Sequence, residues 1–188
     1  MHKEKQGFGD SAVATLQTKA DGQETVSIAG YYHVECRDAA GNLKWEEEFP
    51  NLVNAVGKQL LLDTLLRTSG TYTTVGPFLG LISGASPTFA AADTMTSHSG
   101  WTELAAGTAY SGSRPTVSWT AASAGSKAST ATTFTISATN TVAGALLATV
   151  ASGTSGTLYS AGSFTGGNRT VAASDTLNVT YTASTTAS

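Results

Sequence analysis

From Pro77 to its last residue the chain is built of short strand-like segments separated by clusters of Gly, Ser and Asn. The candidate strands are 78–83, 115–121, 131–138, 142–150, 157–164 and 176–183. In two of them apolar residues recur at every second position, as Phe134 and Ile136 do, which is typical of strands with one wet face. Short strands at this spacing predict a mainly β fold, either an antiparallel β-sandwich or a jelly-roll-like domain.

Residues 26–50 predict a β-hairpin. Apolar and polar side chains alternate from Val26 to Arg37, and the turn-forming residues 38–41 lead into a second alternating segment. The apolar faces of the two strands match if the loop is 38–41. This register pairs Val34 with Trp45, Glu35 with Lys44, and His33 with Glu46.

One helix is predicted, over residues 52–67, with Asn51 or Asn54 as its N-cap. Its apolar side chains, which include Leu62 and Leu66, surround most of the helix in its second half. A helix of this kind is buried on most sides, so we expect a partner subunit to cover part of it. Gly57 is unfavourable in a helix and suggests close backbone packing there.

The domain organisation follows from these elements. Residues 1–25 are polar and charged, with Phe8 as one of few apolar anchors, and form either a disordered tail or an arm that orders on a neighbouring subunit. Residues 26–188 are predicted to form a single β-rich domain made of the hairpin, the helix and the strands of 78–183.

The chain carries little charge. Only 12% of its 188 residues are charged and its net charge is −3, which argues against nucleic acid as the main partner. Ala, Thr and Ser make up roughly two-fifths of the residues. A surface with so few charges favours coverage by other subunits, and we interpret it as a sign of assembly, as a homo-oligomer.

Targeting and redox features are sparse. Cys36 is the single cysteine, so it forms no intrachain disulfide. No secretory signal and no apolar run of about 18 residues is present, and we therefore expect neither export nor a membrane span. β-rich chains with few charges and much Ser, Thr and Gly often form exposed surfaces. A virus particle assembled in the cytoplasm and released by lysis would explain such a chain that has no export signal.

The long loop between residues 83 and 115 carries most of the chemically distinctive side chains of the C-terminal half. Trp101, Tyr110 and Arg114 are candidate protein-interface residues, because aromatic residues and arginine dominate binding hot spots. The alternative is structural: Trp101 holds the loop on the sheet and Arg114 pairs with Glu103.

Catalytic, metal and cofactor sites are not expected. Asp93 and Glu103 lie in one loop, but acids in loops more often accept backbone N–H groups than form a catalytic pair. None of the three histidines has a sequence-near His or Cys companion for a zinc site. The sequence therefore predicts a non-enzyme with no cofactor and no metal.

Three longer stretches carry a family resemblance: GLISGASPTFAAADTMTSHSGWTE, AYSGSRPTVSW and GTLYSAGSFTGGNRTVAASDTLNVTYT. Together with EEFPNLVNAVGKQLLLDTLL they resemble small virion structural proteins of tailed bacteriophages, over roughly residues 45–183. The resemblance implies a multi-copy, non-enzymatic β-rich protein and carries over no catalytic residues.

The predicted function is that of a capsid decoration (cement) protein. It would lie on the capsid exterior, assemble in the host cytoplasm as a dimer or trimer, and bind across subunits of the major capsid protein. The alternative is a tail-associated module that binds a receptor or glycan, with Trp101, Tyr31 and Tyr110 as platforms for sugars.

Overall fold

A computed structural model describes residues 26–65 and 77–187; residues 1–25, 66–76 and 188 lie outside the described part. Twelve strands and one helix are formed within the described ranges. The strands pair antiparallel throughout, in two five-stranded sheets and one two-stranded sheet. The mainly β, sandwich-like fold class predicted from the sequence is confirmed.

The first sheet, sheet A, consists of β1 (Val26–Arg37), β2 (Leu43–Pro50), β6 (Ser126–Ala128), β7 (Thr132–Thr135) and β12 (Thr176–Ala187). Strand β1 lies between β2 and β12, and β12 also pairs with β6 and β7. The residues of β1 pair with those of β12 in one unbroken register, from Val26 opposite Ala187 to Arg37 opposite Thr176. The two ends of the described chain are thereby held side by side.

The second sheet, sheet B, has the order β3 (Leu52–Val53), β10 (Leu158–Ser163), β9 (Gly144–Ala148), β4 (Phe78–Ser83) and β5 (Thr102–Glu103). The small third sheet pairs β8 (Asn140–Val142) with β11 (Arg169–Val171). Predicted strand 78–83 is reproduced as β4, and the predicted strands 131–138, 142–150, 157–164 and 176–183 contain β7, β9, β10 and the first part of β12.

The main core combines one face of sheet A with one face of sheet B. Alternate residues of β1 and β12 point into it, as the period-2 pattern predicted, and those of β4 and β9 meet them. These buried residues include Tyr32, Val34, Leu177, Val179, Leu79, Leu81, Ala145 and Leu147. Burial of this apolar surface is the main stabilising contribution to such a fold.

Sheet B has a second covered face. All five residues of β9 are buried, so the residues that point away from the main core are also shielded from water. A second apolar cluster lies there, formed by Ile82, Met95, Trp101, Ala143, Leu146, Ala148, Leu158 and Ala161. Met95 and Trp101 come from residues 84–101, which we call the cover loop because they supply side chains to this face. Sheet B is therefore an inner layer.

The hairpin prediction is confirmed, but its register differs by two residues. The turn includes Asn42, whose backbone N–H donates to the Asp38 carboxylate at 2.8 Å, and Arg37 lies opposite Leu43. A bulge follows, so Cys36 rather than Val34 faces Trp45, and Glu35 faces Glu46 rather than Lys44. The shift by two residues keeps Trp45 and Phe49 on the core-facing side, whereas the bulge places Leu43 opposite Arg37, where it is 48% exposed.

The single helix, α1 (Ala55–Leu65), is shorter at its start than the predicted 52–67, and residues 66 and 67 lie outside the described part. Leu52 and Val53 form strand β3 instead, because they pair with Ala161 and Ser160 of β10. Asn54 lies at the N-cap position, but its side-chain amide donates to the Ala90 carbonyl at 3.0 Å. No helix in the described part of the chain has the length and apolar character needed to cross a membrane.

Predicted strand 115–121 is wrong as a continuous strand. It forms isolated bridges, at Thr116 with Phe78 and at Trp119 with Ser129. The segment bonds β4 near its start, where the Leu79 N–H donates to the Pro115 carbonyl at 3.0 Å, and β6 near its end. Because its partners change along its length, no regular ladder develops.

Gly57 lies where α1 crosses β10, and a Cβ atom there would overlap the carbonyl oxygen of Tyr159. The expected close backbone packing is confirmed. We predict that Gly57→Ala lowers the free energy of unfolding by about 1–3 kcal/mol, because overpacking outweighs the gain in helix propensity of about 1 kcal/mol. Urea unfolding measures this, with Lys58→Ala as the control on the exposed side of the same helix. Equal or greater stability of Gly57→Ala would contradict the packing argument.

Candidate functional site

An apolar groove lies where α1 meets the ends of strands from both sheets, and we call it the helix groove. It encloses about 310 Å³. Its lining is mostly apolar and comes from separate parts of the chain: Leu60, Leu61, Thr64, Pro77, Trp119, Lys127, Leu147, Ala148, Thr149, Tyr159, Tyr181 and Ala183. A concave apolar surface of this kind is typical of binding sites.

Aromatic rings form one wall of the helix groove. The ring of Tyr181 meets those of Trp119 and Tyr159 edge to face, at centroid distances of 6.1 and 6.3 Å. The Asn51 amide donates to the Tyr181 hydroxyl at 2.8 Å and fixes that ring from behind. Trp119 and Tyr159 are half-buried, so they combine a fixed position with accessible apolar surface.

Lys127 provides the one charged side chain of the groove lining, and its Nζ lies 5.9 Å from the centre of the Trp119 ring. This cation–π contact keeps the ammonium group at the rim. Burial raises the pKa of Tyr159, and the pKa of Tyr181 is raised chiefly by burial as well, so both phenols are neutral at pH 7. The groove can therefore hold apolar side chains, with an ammonium group at its rim.

Trp101, a candidate interface residue, lies in the interior with 5% of its surface exposed. Its indole N–H donates to the Asp93 carboxylate at 3.0 Å, and its ring stacks on His98 at 3.7 Å between centroids. Asp93 also accepts the backbone N–H of Ala90 at 3.0 Å. The structural alternative is what the structure shows: Trp101 holds the cover loop on sheet B.

Arg114 is 4% exposed and forms two hydrogen bonds with Glu103, at 2.5 and 2.6 Å. It also donates to the backbone carbonyls of Val150 and Gly153, both at 2.9 Å. The hydrogen bonds that the guanidinium donates to Glu103 raise the pKa of Arg114 despite its burial. Arg114 thus joins β5 to the turn after β9, which is the pairing given as its structural alternative.

Tyr110 is fully buried in the main core, where its ring meets that of Phe134 edge to face at 5.0 Å. Burial raises the pKa of its hydroxyl.

Leu62 lies within α1, while Leu66 and Phe8 lie outside the described residues. Of the predicted interface residues, the three in the described core have structural contacts, and their small exposure leaves little surface for direct contact with a partner. A role for Leu62, Leu66 and Phe8 stays a prediction.

The two loop acids have separate structural partners. Asp93 accepts N–H groups and Glu103 pairs with Arg114, as expected for acids that stabilise loops rather than act together.

Cys36 is buried beside Asp175, and burial raises the pKa of its thiol to about 11. A protonated, buried thiol is a poor nucleophile.

Comparison with known proteins found no matching family model, no matching curated protein and no matching solved structure.

Sequence reasoning missed the helix groove as a site. Trp119 falls within predicted strand 115–121, whose pattern indicates no groove, and the structure leaves it half-buried at the groove wall. The available signal was the helix with apolar residues on most of its sides, because two of them, Leu60 and Leu61, line the groove. The strands that complete it are distant in sequence, and nothing local indicates that they meet.

We predict that Arg114→Met lowers the free energy of unfolding by about 3–5 kcal/mol, because it leaves the Glu103 carboxylate without its buried cation. The double variant Arg114→Met/Glu103→Met should recover a large part of that loss, since no charge is then left unpaired. Urea unfolding of both variants and of Glu103→Met checks this. A double variant less stable than Arg114→Met would contradict it.

Proposed function

We propose that this protein is a capsid decoration (cement) protein of a tailed bacteriophage, which stabilises the icosahedral head by binding across subunits of the major capsid protein. The observation that carries the proposal is the helix groove, a mostly apolar surface lined by residues of α1 and of strands from both sheets. The family resemblance supplies the identity of the partner.

The surface chemistry supports a role in binding. Sheet A directs small neutral residues of β12 away from the core, among them Thr176, Asn178 and Thr180. Neutral side chains cost less to dehydrate than charged ones, so a second protein can cover the β12 part of this face more readily than the β1 part, where His33, Glu35 and Arg37 lie opposite these residues. Only six charged residues follow residue 70 in the sequence.

The mechanism is stabilisation by binding. A protein that binds the assembled capsid and not its separated subunits shifts the equilibrium toward the intact shell. Many copies, each with a modest contact, act together through multivalency. The proposal includes a location on the capsid exterior, self-association as a dimer or trimer, and contacts between subunits from residues 1–25 and the helix.

The alternative, a tail-associated receptor- or glycan-binding module, rests on three aromatic residues. Trp101 and Tyr110 are buried, and of the three only Tyr31 is exposed, at 39%. The copy number per virion separates the two functions, since a decoration protein requires hundreds of copies and a tail component roughly three to a dozen.

The test uses capsids that lack this protein. Adding the purified full chain should raise the temperature at which these capsids break up. Leu61→Gln should weaken binding to capsids by about tenfold, because a buried leucine side chain contributes about 1.5–3 kcal/mol. Co-sedimentation over a concentration series measures the affinity.

Leu43→Gln is the matched control, because Leu43 is 48% exposed on β2 and is not part of the groove lining. It should bind capsids as the wild type does, and both variants should keep the wild-type unfolding temperature. Capsid stability that does not respond to the protein would refute the proposal. Equal binding by Leu61→Gln and the wild type would show that the helix groove is not the capsid-binding surface.

A further inference from the structure

Three metal-ligating side chains meet on the outer face of the β1–β2 hairpin. His33 and Glu35 lie two residues apart on β1, so both point away from the main core. Glu46 lies directly opposite Glu35 on β2. One ligand atom from each residue lies within 4.8 Å of the other two.

The observed register creates this cluster. In the predicted register Glu35 would face Lys44, an attractive pair, but the turn through Asn42 and the bulge place Glu46 there. Two carboxylates directly opposite each other on neighbouring strands repel. The hairpin therefore places Glu46 opposite Glu35, although Lys44, which could pair with Glu35, lies only two residues from Glu46 in the sequence.

Lys44 does not relieve this repulsion, because its Nζ lies 2.5 Å from the Asp175 carboxylate. Arg37 bonds one oxygen of Glu35, Oε2, at 3.0 Å and leaves the other oxygen of that carboxylate for a further partner. Among the ion pairs of the described residues none involves Glu46. A cation held between Glu35 and Glu46 would offset the repulsion between the two carboxylates.

We infer that His33, Glu35 and Glu46 form a binding site for a divalent transition-metal ion of the Zn²⁺ class. One imidazole nitrogen and two carboxylate oxygens are a donor set suited to such ions, whereas Mg²⁺ and Ca²⁺ prefer oxygen ligands alone. Three protein ligands leave a coordination position open for water or for a group from another protein. Arg37 serves as an outer partner that orients the Glu35 carboxylate.

The two strands make the site rigid before an ion binds. The backbone N–H groups of Ala40 and Asn42 donate to the Asp38 carboxylate at 2.9 and 2.8 Å and fix the turn. On its other side β1 is paired along its whole length with β12. The ligands are therefore held by paired strands, which reduces the entropy lost on binding.

The experiment titrates Zn²⁺ into the full chain, in a buffer without chelating components, by calorimetry and by thermal unfolding. The wild type should bind one ion and unfold at a higher temperature with Zn²⁺, and Mg²⁺ in the same excess should give no such rise. His33→Gln and Glu46→Gln should each weaken Zn²⁺ binding by more than about tenfold. Both side chains reach the outer face, so metal-free His33→Gln should unfold close to the wild-type temperature, and metal-free Glu46→Gln at that temperature or slightly above it because its repulsion with Glu35 is removed.

Two control variants test the assignment to these three residues. Glu48→Gln changes an acid on the same face of β2, opposite His33 but outside the cluster. His2→Gln removes a histidine outside the described residues. Both should bind Zn²⁺ as the wild type does. Undiminished binding by His33→Gln, loss of binding in His2→Gln, or no Zn²⁺ binding by the wild type would overturn the inference.

Discussion

The structure depends on burying sheet B on both faces. Its central strand β9 has no exposed residue, and one of its faces meets sheet A while the other meets the cover loop. An ordinary two-layer sandwich leaves the outer face of each sheet to water. Here the outer face of sheet B is apolar, so residues 84–101 must pack on it for the fold to be stable. The hydrogen bond between Trp101 and Asp93 holds this loop in position.

The chemically distinctive residues of the loop after β4 are buried rather than exposed at the surface. Trp101, Arg114 and Tyr110 have the residue types of a binding site, yet their side chains are used to attach loops to the sheets and to fill the core. The surfaces that remain for function lie elsewhere. Among the described residues we propose two such surfaces: the helix groove, which offers apolar contact, and the outer face of the hairpin, where we infer a metal site.

Much of the fold could be predicted from local patterns. Alternation identified β1, β2 and most of β12, and the continuous apolar run of β4 was assigned to within a residue. The short strands β3, β5, β6, β8 and β11 were missed, because two or three residues give no periodic signal and form only where a partner is present. Residues 52 and 53 fit a helix by composition, and their pairing with β10 decided otherwise.

The sites were harder to predict than the fold, for a physical reason. The hairpin register depends on the turn, where the Asp38 carboxylate accepts the Asn42 N–H, and on the bulge at Cys36 and Arg37, which together bring Glu46 opposite Glu35. The helix groove requires residues from α1, β9, β10 and β12 to converge. Such convergence depends on long-range packing, which single-sequence patterns do not encode.

Native-state hydrogen exchange is the measurement that tests the two-sided burial of sheet B most directly. The indole N–H of Trp101, which is bonded to Asp93, and the backbone amides of Leu146 and Leu147 in β9 should be followed together. If sheet B needs its cover, these groups exchange with the same opening free energy, that of global unfolding. Rapid exchange of the indole while the β9 amides stay protected would show that the sheet is stable with that face uncovered, and would contradict the account.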